Sequence, residues 1–254
     1  MLLQSPPMGT GGSSQLQHAD KGKHMNEEPS TPSSAAFQRL LDERYSCRAF
    51  LPHQVDTATI MRMLQIAQRT PSWCNSQPWK AVITRGAATD RFRDAMCAYA
   101  AGRKAEPDFA FPREYHGVYL ERRRACGFQL YESVGIARGD REASARQGME
   151  NYRLFGAPHA MIVTTDEALG VYGVLDCGAW VNNFMLAARS LGVASIAQAA
   201  LGAHPNFLRS YFGLSEDRSV VCGMSFGYED GANPVNKFRT SRAAADAVVT
   251  WVDE

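Results

Sequence analysis

Residues 171–191 would carry apolar side chains on nearly every side of a helix, among them Val174, Leu175, Val181, Phe184, Met185 and Leu191. A helix without a polar face needs protein on all sides, from its own domain or from a second subunit. The chain of 254 residues is long enough to provide it. Folded as one domain it would bury about three-quarters of its unfolded surface, without staples. Gly192 closes the helix, and Val193–Ala197 reads as a strand.

The remaining pattern supplies the partners. Residues 1–34 are rich in Gly, Ser, Pro, Gln and His with almost no apolar periodicity, so they are expected to form a disordered leader. From Ala35 the spacing of Phe37, Leu40 and Leu41 predicts a helix to Arg44, and Asp56 precedes a second amphipathic helix that Pro71 closes. A strand over 81–84, a helix over 90–101 and two helical stretches, 117–137 and 140–155, follow an order broken by an irregular, proline-bearing excursion at 103–115. The strand 160–165, a short helix after Pro205 and a strand over 219–226 complete one domain, 35–254. The fold class is α+β, a mixed and mainly antiparallel sheet covered by helices.

Several chemistries are excluded. A formal net charge of +1 provides no basic stripe for nucleic acid or an acidic membrane. No apolar run approaches the roughly 20 residues of a membrane span, and the first residues lack a secretory signal, so a cytoplasmic location is expected. The six cysteines are scattered without a Cys-x-x-Cys pair, and the histidines lack ligand spacing, so no metal site is expected. No Rossmann fingerprint, phosphate loop or nucleophile elbow is present.

Three segments carry the chemistry. Arg44, Ser46 and Arg48 alternate, so extended backbone would turn two guanidiniums and a hydroxyl to one side, toward an anion or toward water. Pro71-Ser72-Trp73-Cys74-Asn75-Ser76-Gln77-Pro78-Trp79 is either a rigid turn with its tryptophans in the core or a platform of amides for a heteroaromatic ring. Lys237-Phe238-Arg239 sets two cations around an aromatic side chain near the C-terminus.

In this order, Arg-x-Ser-x-Arg-x-Phe, Pro-Ser-x-x-Asn-x-Gln-Pro-Trp, Gly-Tyr and a terminal Lys-x-Arg, the chain resembles the nitroreductase family of FMN-dependent oxidoreductases over nearly all of residues 36–254. The resemblance implies an α/β sandwich and an intertwined homodimer with a non-covalent FMN at each of two interface sites. NADH or NADPH would serve as a transient electron donor for a small aromatic acceptor, a nitro compound or a quinone, in a ping-pong cycle. Arg44, Ser46 and Arg48 match the N-terminal FMN-binding positions, Asn75 and Gln77 the amides that face the flavin from the neighbouring subunit, Gln198, Ala199 and Ala200 the backbone along the ring, and Lys237 and Arg239 the phosphate ligands. Arg44 and Ser46 would serve the phosphate, and Arg48 the N1 and C2 carbonyl edge of the ring.

The flavin does the chemistry in such proteins, so no side chain is expected to be catalytic in its own right; Arg48 would tune the cofactor. Residues 103–155 are the expected lid, with Phe109, Phe111, Tyr115 and Tyr119 as either a wall of the pocket or core, and Arg122–Arg124 as a solvated face. Residues 247–252 would form a strand reaching the partner. Within the fold a dehalogenase, a flavin-cleaving enzyme or an enoate reductase is the alternative; outside it, a flavin-binding carrier or sensor without turnover.

Overall fold

The computed structural model describes residues 31–253. Helix α1 (Pro32–Glu43) begins ahead of the expected start at Ala35. Thr31 is extended and its hydroxyl accepts the Ser34 N–H, while Pro32 fills the first helical position, where an N–H would have no partner. Residues 32–34 are therefore helical, and the expected disorder of residues 1–30 lies outside the described residues. Helix α2 (Thr57–Ala67) is capped as expected by Asp56, whose carboxylate accepts the Thr59 N–H at 2.8 Å and its hydroxyl at 2.7 Å.

Strand β1 (Lys80–Ile83), α3 (Ala87–Ala100), α4 (Gly117–Ser133) and α5 (Arg141–Met149) follow, then β2 (His159–Asp166), α6 (Gly170–Ser190), β3 (Ala194–Gln198), α7 (Pro205–Phe212) and β4 (Arg218–Gly227). The four strands pair antiparallel in the order β1-β2-β4-β3. The parallel element is an isolated bridge, Ser46 to Ser195, which ties the end of α1 to β3.

Alternation along β2 gives each face of the sheet its own core. Met161 and Val163 pack with Met63 of α2 and Trp180 and Phe184 of α6. Ala160 and Ile162 pack with Phe92 and Met96 of α3 and Leu208 of α7. The result is a sheet sandwiched between helices.

Three elements differ from expectation. Helix α5 stops at Met149 because Leu154 and Phe155 take left-handed φ values of 59° and 52° and bury their side chains where the chain turns into β2. Helix α6 is apolar but not enclosed: Trp180 and Phe184 are buried, whereas Val171, Tyr172 and Leu175 stand open, and the buried set includes Asp176. Residues 247–252 form no strand in this chain; a short 3-10 turn (Ala245–Val248) leads into extended backbone with Trp251 and Val252 exposed. An extended segment becomes a strand only beside a neighbour, and no described strand of the chain adjoins it. Among the described residues, no helix is long and apolar enough to cross a membrane.

Candidate functional site

After α1 the chain leaves helical geometry at Arg44 and runs extended, pinned by the Cys47 N–H to the Ser195 carbonyl at 3.2 Å. Alternation separates Cys47 from Ser46 and Arg48 as the spacing predicted, whereas Tyr45 reaches the same cavity as Arg44 and Ser46. Cys47 points into the core, and its thiol is pushed up to about 11 by burial, so it is inert at neutral pH. Arg44, Ser46 and Arg48 line a cavity of about 570 Å³, a size ordinary for a cofactor site.

The opposite wall comes from the C-terminal segment: Phe238, Arg239, Thr240 and Arg242. Asn182 of α6 and Cys126 of α4 also contribute. Four guanidiniums thus meet one carboxylate, Asp42, in the lining. Among the described residues none of the four forms an ion pair. Burial, and then the neighbouring charge of Arg242, pulls Arg44 below the usual guanidinium value; burial does the same to Arg48. Arg44 and Arg48 are half-buried and Arg239 and Arg242 exposed, and four cations gathered around one cavity with a single carboxylate favour an anion between them.

The positions of these side chains are held. The Arg239 guanidinium lies 3.7 Å from the centre of the Tyr45 ring, and Tyr45 donates its hydroxyl to Glu229 at 2.5 Å. Burial first, then that bond, drives the phenol strongly upward, so Tyr45 stays a neutral donor. Arg48 lies 5.7 Å from the centre of the Phe238 ring. Asn236, which the sequence did not single out, bonds the backbone of Arg48 and Ala49.

Of the ten residues matched by resemblance, the cavity collects Arg44, Ser46, Arg48 and Arg239. Lys237 is exposed and outside the lining: the turn Pro234–Asn236 sends it outward, and Arg242 supplies a cation on the cavity side instead. Another arginine three places beyond Arg239 was the available signal, and it is indistinguishable from a solvated tail charge. Gln198 turns its amide inward, donating to the Asn151 carbonyl at 2.8 Å and accepting from Ser225 at 2.6 Å. Ala199 is exposed and Ala200 half-buried, in the turn Ala199–Ala203.

Asn75 and Gln77 lie apart from the cavity of their own chain, on an exposed loop. Cys74, Asn75 and Gln77 all have left-handed φ, at 49°, 55° and 48°. Such backbone costs on the order of 1–3 kcal/mol per residue, and anchors hold it. Asp176 of α6 accepts the Trp73 N–H at 3.0 Å, Arg218 donates to the Pro78 carbonyl at 3.1 Å, and Gln68 bonds both Gln77 and Trp79 at 3.0 Å. The two readings of the tryptophans divide: Trp79 is core, stacked 6.2 Å from Trp180, whereas Trp73 is exposed beside Tyr172. In the expected lid, Phe111, Tyr115 and Tyr119 are exposed rather than core and Phe109 is half-buried, while Arg122–Arg124 of α4 are exposed.

Comparison with known proteins adds a second line. The model described as the Nitroreductase family matches residues 41–228. The chain is 34% identical over 217 residues to nitroreductase NfnB of Mycolicibacterium smegmatis, covering 85% of this chain and 92% of that one. It is 32% identical to a 4-nitrobenzoate reductase of Nocardioides sp. over 232 residues, 88% and 93% of the two chains. The crystal structure of FMN-dependent NfnB from Mycobacterium smegmatis in complex with NADPH superposes with a TM-score of 0.82 at 32% identity, over 87% of this chain and 99% of the other.

Proposed function

We infer the activity of this chain from its family, for it belongs to the nitroreductase family: it is an FMN-dependent oxidoreductase that uses NADPH or NADH to reduce nitroaromatic compounds. When bound, the flavin supplies the two-electron redox chemistry, with the nicotinamide as hydride donor and a nitroaromatic or quinone as acceptor. The observation that carries the reading is the cavity of four guanidiniums without an ion-pair partner, in a chain of this family.

In this reading Arg44, Ser46, Arg239 and Arg242 hold the phosphate, and Arg48, the arginine beside the Phe238 ring, serves the polar edge of the flavin. Arg242 takes the place first given to Lys237. The turn at Ala199, exposed, and Ala200, half-buried, remains available to run along a ring. The protein acts as a homodimer. The open apolar face of α6, the exposed Trp73 and the C-terminal Trp251 and Val252 support this, since a monomer seldom leaves such surface wet. Asn75 and Gln77 would then complete the cavity of the second copy, which accounts for a strained, anchored loop with no role at its own site. Residues 35–254 form a single FMN-binding domain that begins in effect at Pro32. Six free cysteines and the need for a nicotinamide donor favour the cytoplasm.

Anaerobic mixing of the yellow holoenzyme with NADPH tests the reading. The visible flavin band should bleach and return when a nitroaromatic is added, with formation of the reduced product. A flavoprotein that NADPH and NADH both leave oxidised would favour the carrier or sensor.

A further inference from the structure

We propose that Asn236 is a positioning residue that sets Arg48 and Arg239 in the cofactor cavity by fastening the two ends of the chain into one site. The inference rests on the reading of that cavity as the FMN site, and it assigns a role that neither the motifs nor the family likeness indicates.

Asn236 is only 4% exposed and does not line the cavity. Its amide is nevertheless fully used. The oxygen accepts the Arg48 N–H at 2.8 Å across 188 positions of sequence. The nitrogen donates to the Ala49 carbonyl at 2.8 Å and to the Asp230 carbonyl at 2.9 Å. Its own backbone carbonyl accepts from the Arg239 guanidinium at 2.7 Å. One residue therefore fixes the backbone that carries one arginine and the side chain of another. The turn before it is pre-set: Asn233 accepts the Val235 N–H, Pro234 restricts the chain, and Val235 is buried. A primary amide is required because both an acceptor and two donors are engaged, and the short asparagine places them; aspartate lacks the donors and leucine lacks all three.

The test is a cycle of variants read by FMN affinity, from the fluorescence of flavin released on dilution of the holoenzyme. Asn236→Ala should weaken FMN at least about tenfold, the equivalent of about 1.4 kcal/mol. Added to an Arg48→Ala/Arg239→Ala background it should change affinity less than about twofold, because the groups it positions are gone. Leu208→Ala, a core truncation at a residue that does not line the cavity, should lower Tm yet leave affinity within about twofold. Asn236→Gln retains both halves of the amide and should recover part of the loss; it also serves if the alanine variant fails to fold. Wild-type affinity in Asn236→Ala, or an equal loss in both backgrounds, overturns the inference alone. Wild-type protein that binds no FMN overturns the reading of the cavity and the inference with it.

Discussion

Arg44 and Arg48 stand four positions apart on one extended stretch but in different surroundings. Arg44 shares its position with the charge of Arg242, which suits a group carrying full negative charge. Arg48 lies under Phe238, and its guanidinium donates to the Ser46 carbonyl at 3.0 Å. Arg44→Ala and Arg242→Ala should therefore shed FMN on dilution, with little change in potential where flavin remains. Arg48→Ala should weaken FMN less than those two and lower the midpoint potential of the flavin that remains, because a fixed cation favours whichever bound form carries more negative charge. A loss of roughly 1.4 kcal/mol in that preference corresponds to about 30 mV for two electrons. Redox titration of the variants decides; a wild-type potential in Arg48→Ala would reverse the two roles. A different residue governs acid stability. His159 is buried, accepts the Val55 N–H on Nε2 at 3.0 Å and shares Nδ1 with the Thr84 carbonyl at 3.1 Å, an arrangement that requires the neutral ring. Burial lowers its pKa, so the unfolded chain takes up the proton first. The stability contributed is complete above about pH 6.5 and is lost as pH falls through the depressed native value. His204 shifts in the same direction for the same reason. Thermal melts should show Tm falling below about pH 6.5, and a flat profile down to about pH 5 would refute the assignment.

At the scale of elements, the sandwich depends on close approach as well as on apolar content. Gly223 of β4 lies under Leu201, a fully buried residue of the turn Ala199–Ala203. A Cβ at 223 would sit 2.5 Å from the Leu201 Cβ, which has no freedom to withdraw. Gly223→Ala should cost about 1–3 kcal/mol of stability, measured by denaturant unfolding, and should disturb the turn that carries Ala199 and Ala200. An unchanged midpoint would mean that the turn moves freely over the sheet. The loop of Asn75 and Gln77 shows the converse arrangement, strained backbone held by bonds from Gln68 just past α2, from α6 and from β4.

At the scale of the molecule, the proposed homodimer would place its interface on the open side of α6. Val171 and Leu175 are 75% and 66% exposed on a helix whose other face is core. Light scattering should give about twice the chain mass across dilution, as an interface made from such a face requires. Leu175→Asp should shift the protein toward monomer, and FMN content should fall with it, since each cavity would lose the partner's loop. A monomeric Leu175→Asp that retains full flavin would separate assembly from cofactor binding and sink the shared-site reading.

Local chemistry was legible wherever a few neighbouring residues decide the outcome. The cap at Asp56, the period of the helices and the alternation of Arg44, Ser46 and Arg48 depend on spacing over a turn or a strand, and the structure keeps them. The order of the motifs was enough to indicate the family. Tertiary structure decided which chemically equivalent groups meet. Lys237 and Arg242 are both cations on one tail, and a turn at 234–236 selects between them. Trp73 and Trp79 bracket one loop, yet only Trp79 finds Trp180 to stack on. Asp176 is tolerated in the buried set of an apolar helix because the Trp73 N–H arrives as its donor. Asn236 gains its role only when a partner 188 positions away is brought to its amide. Hydrogen bonds and buried faces between distant segments depend on packing that no local period encodes, so these assignments belong to the folded chain alone.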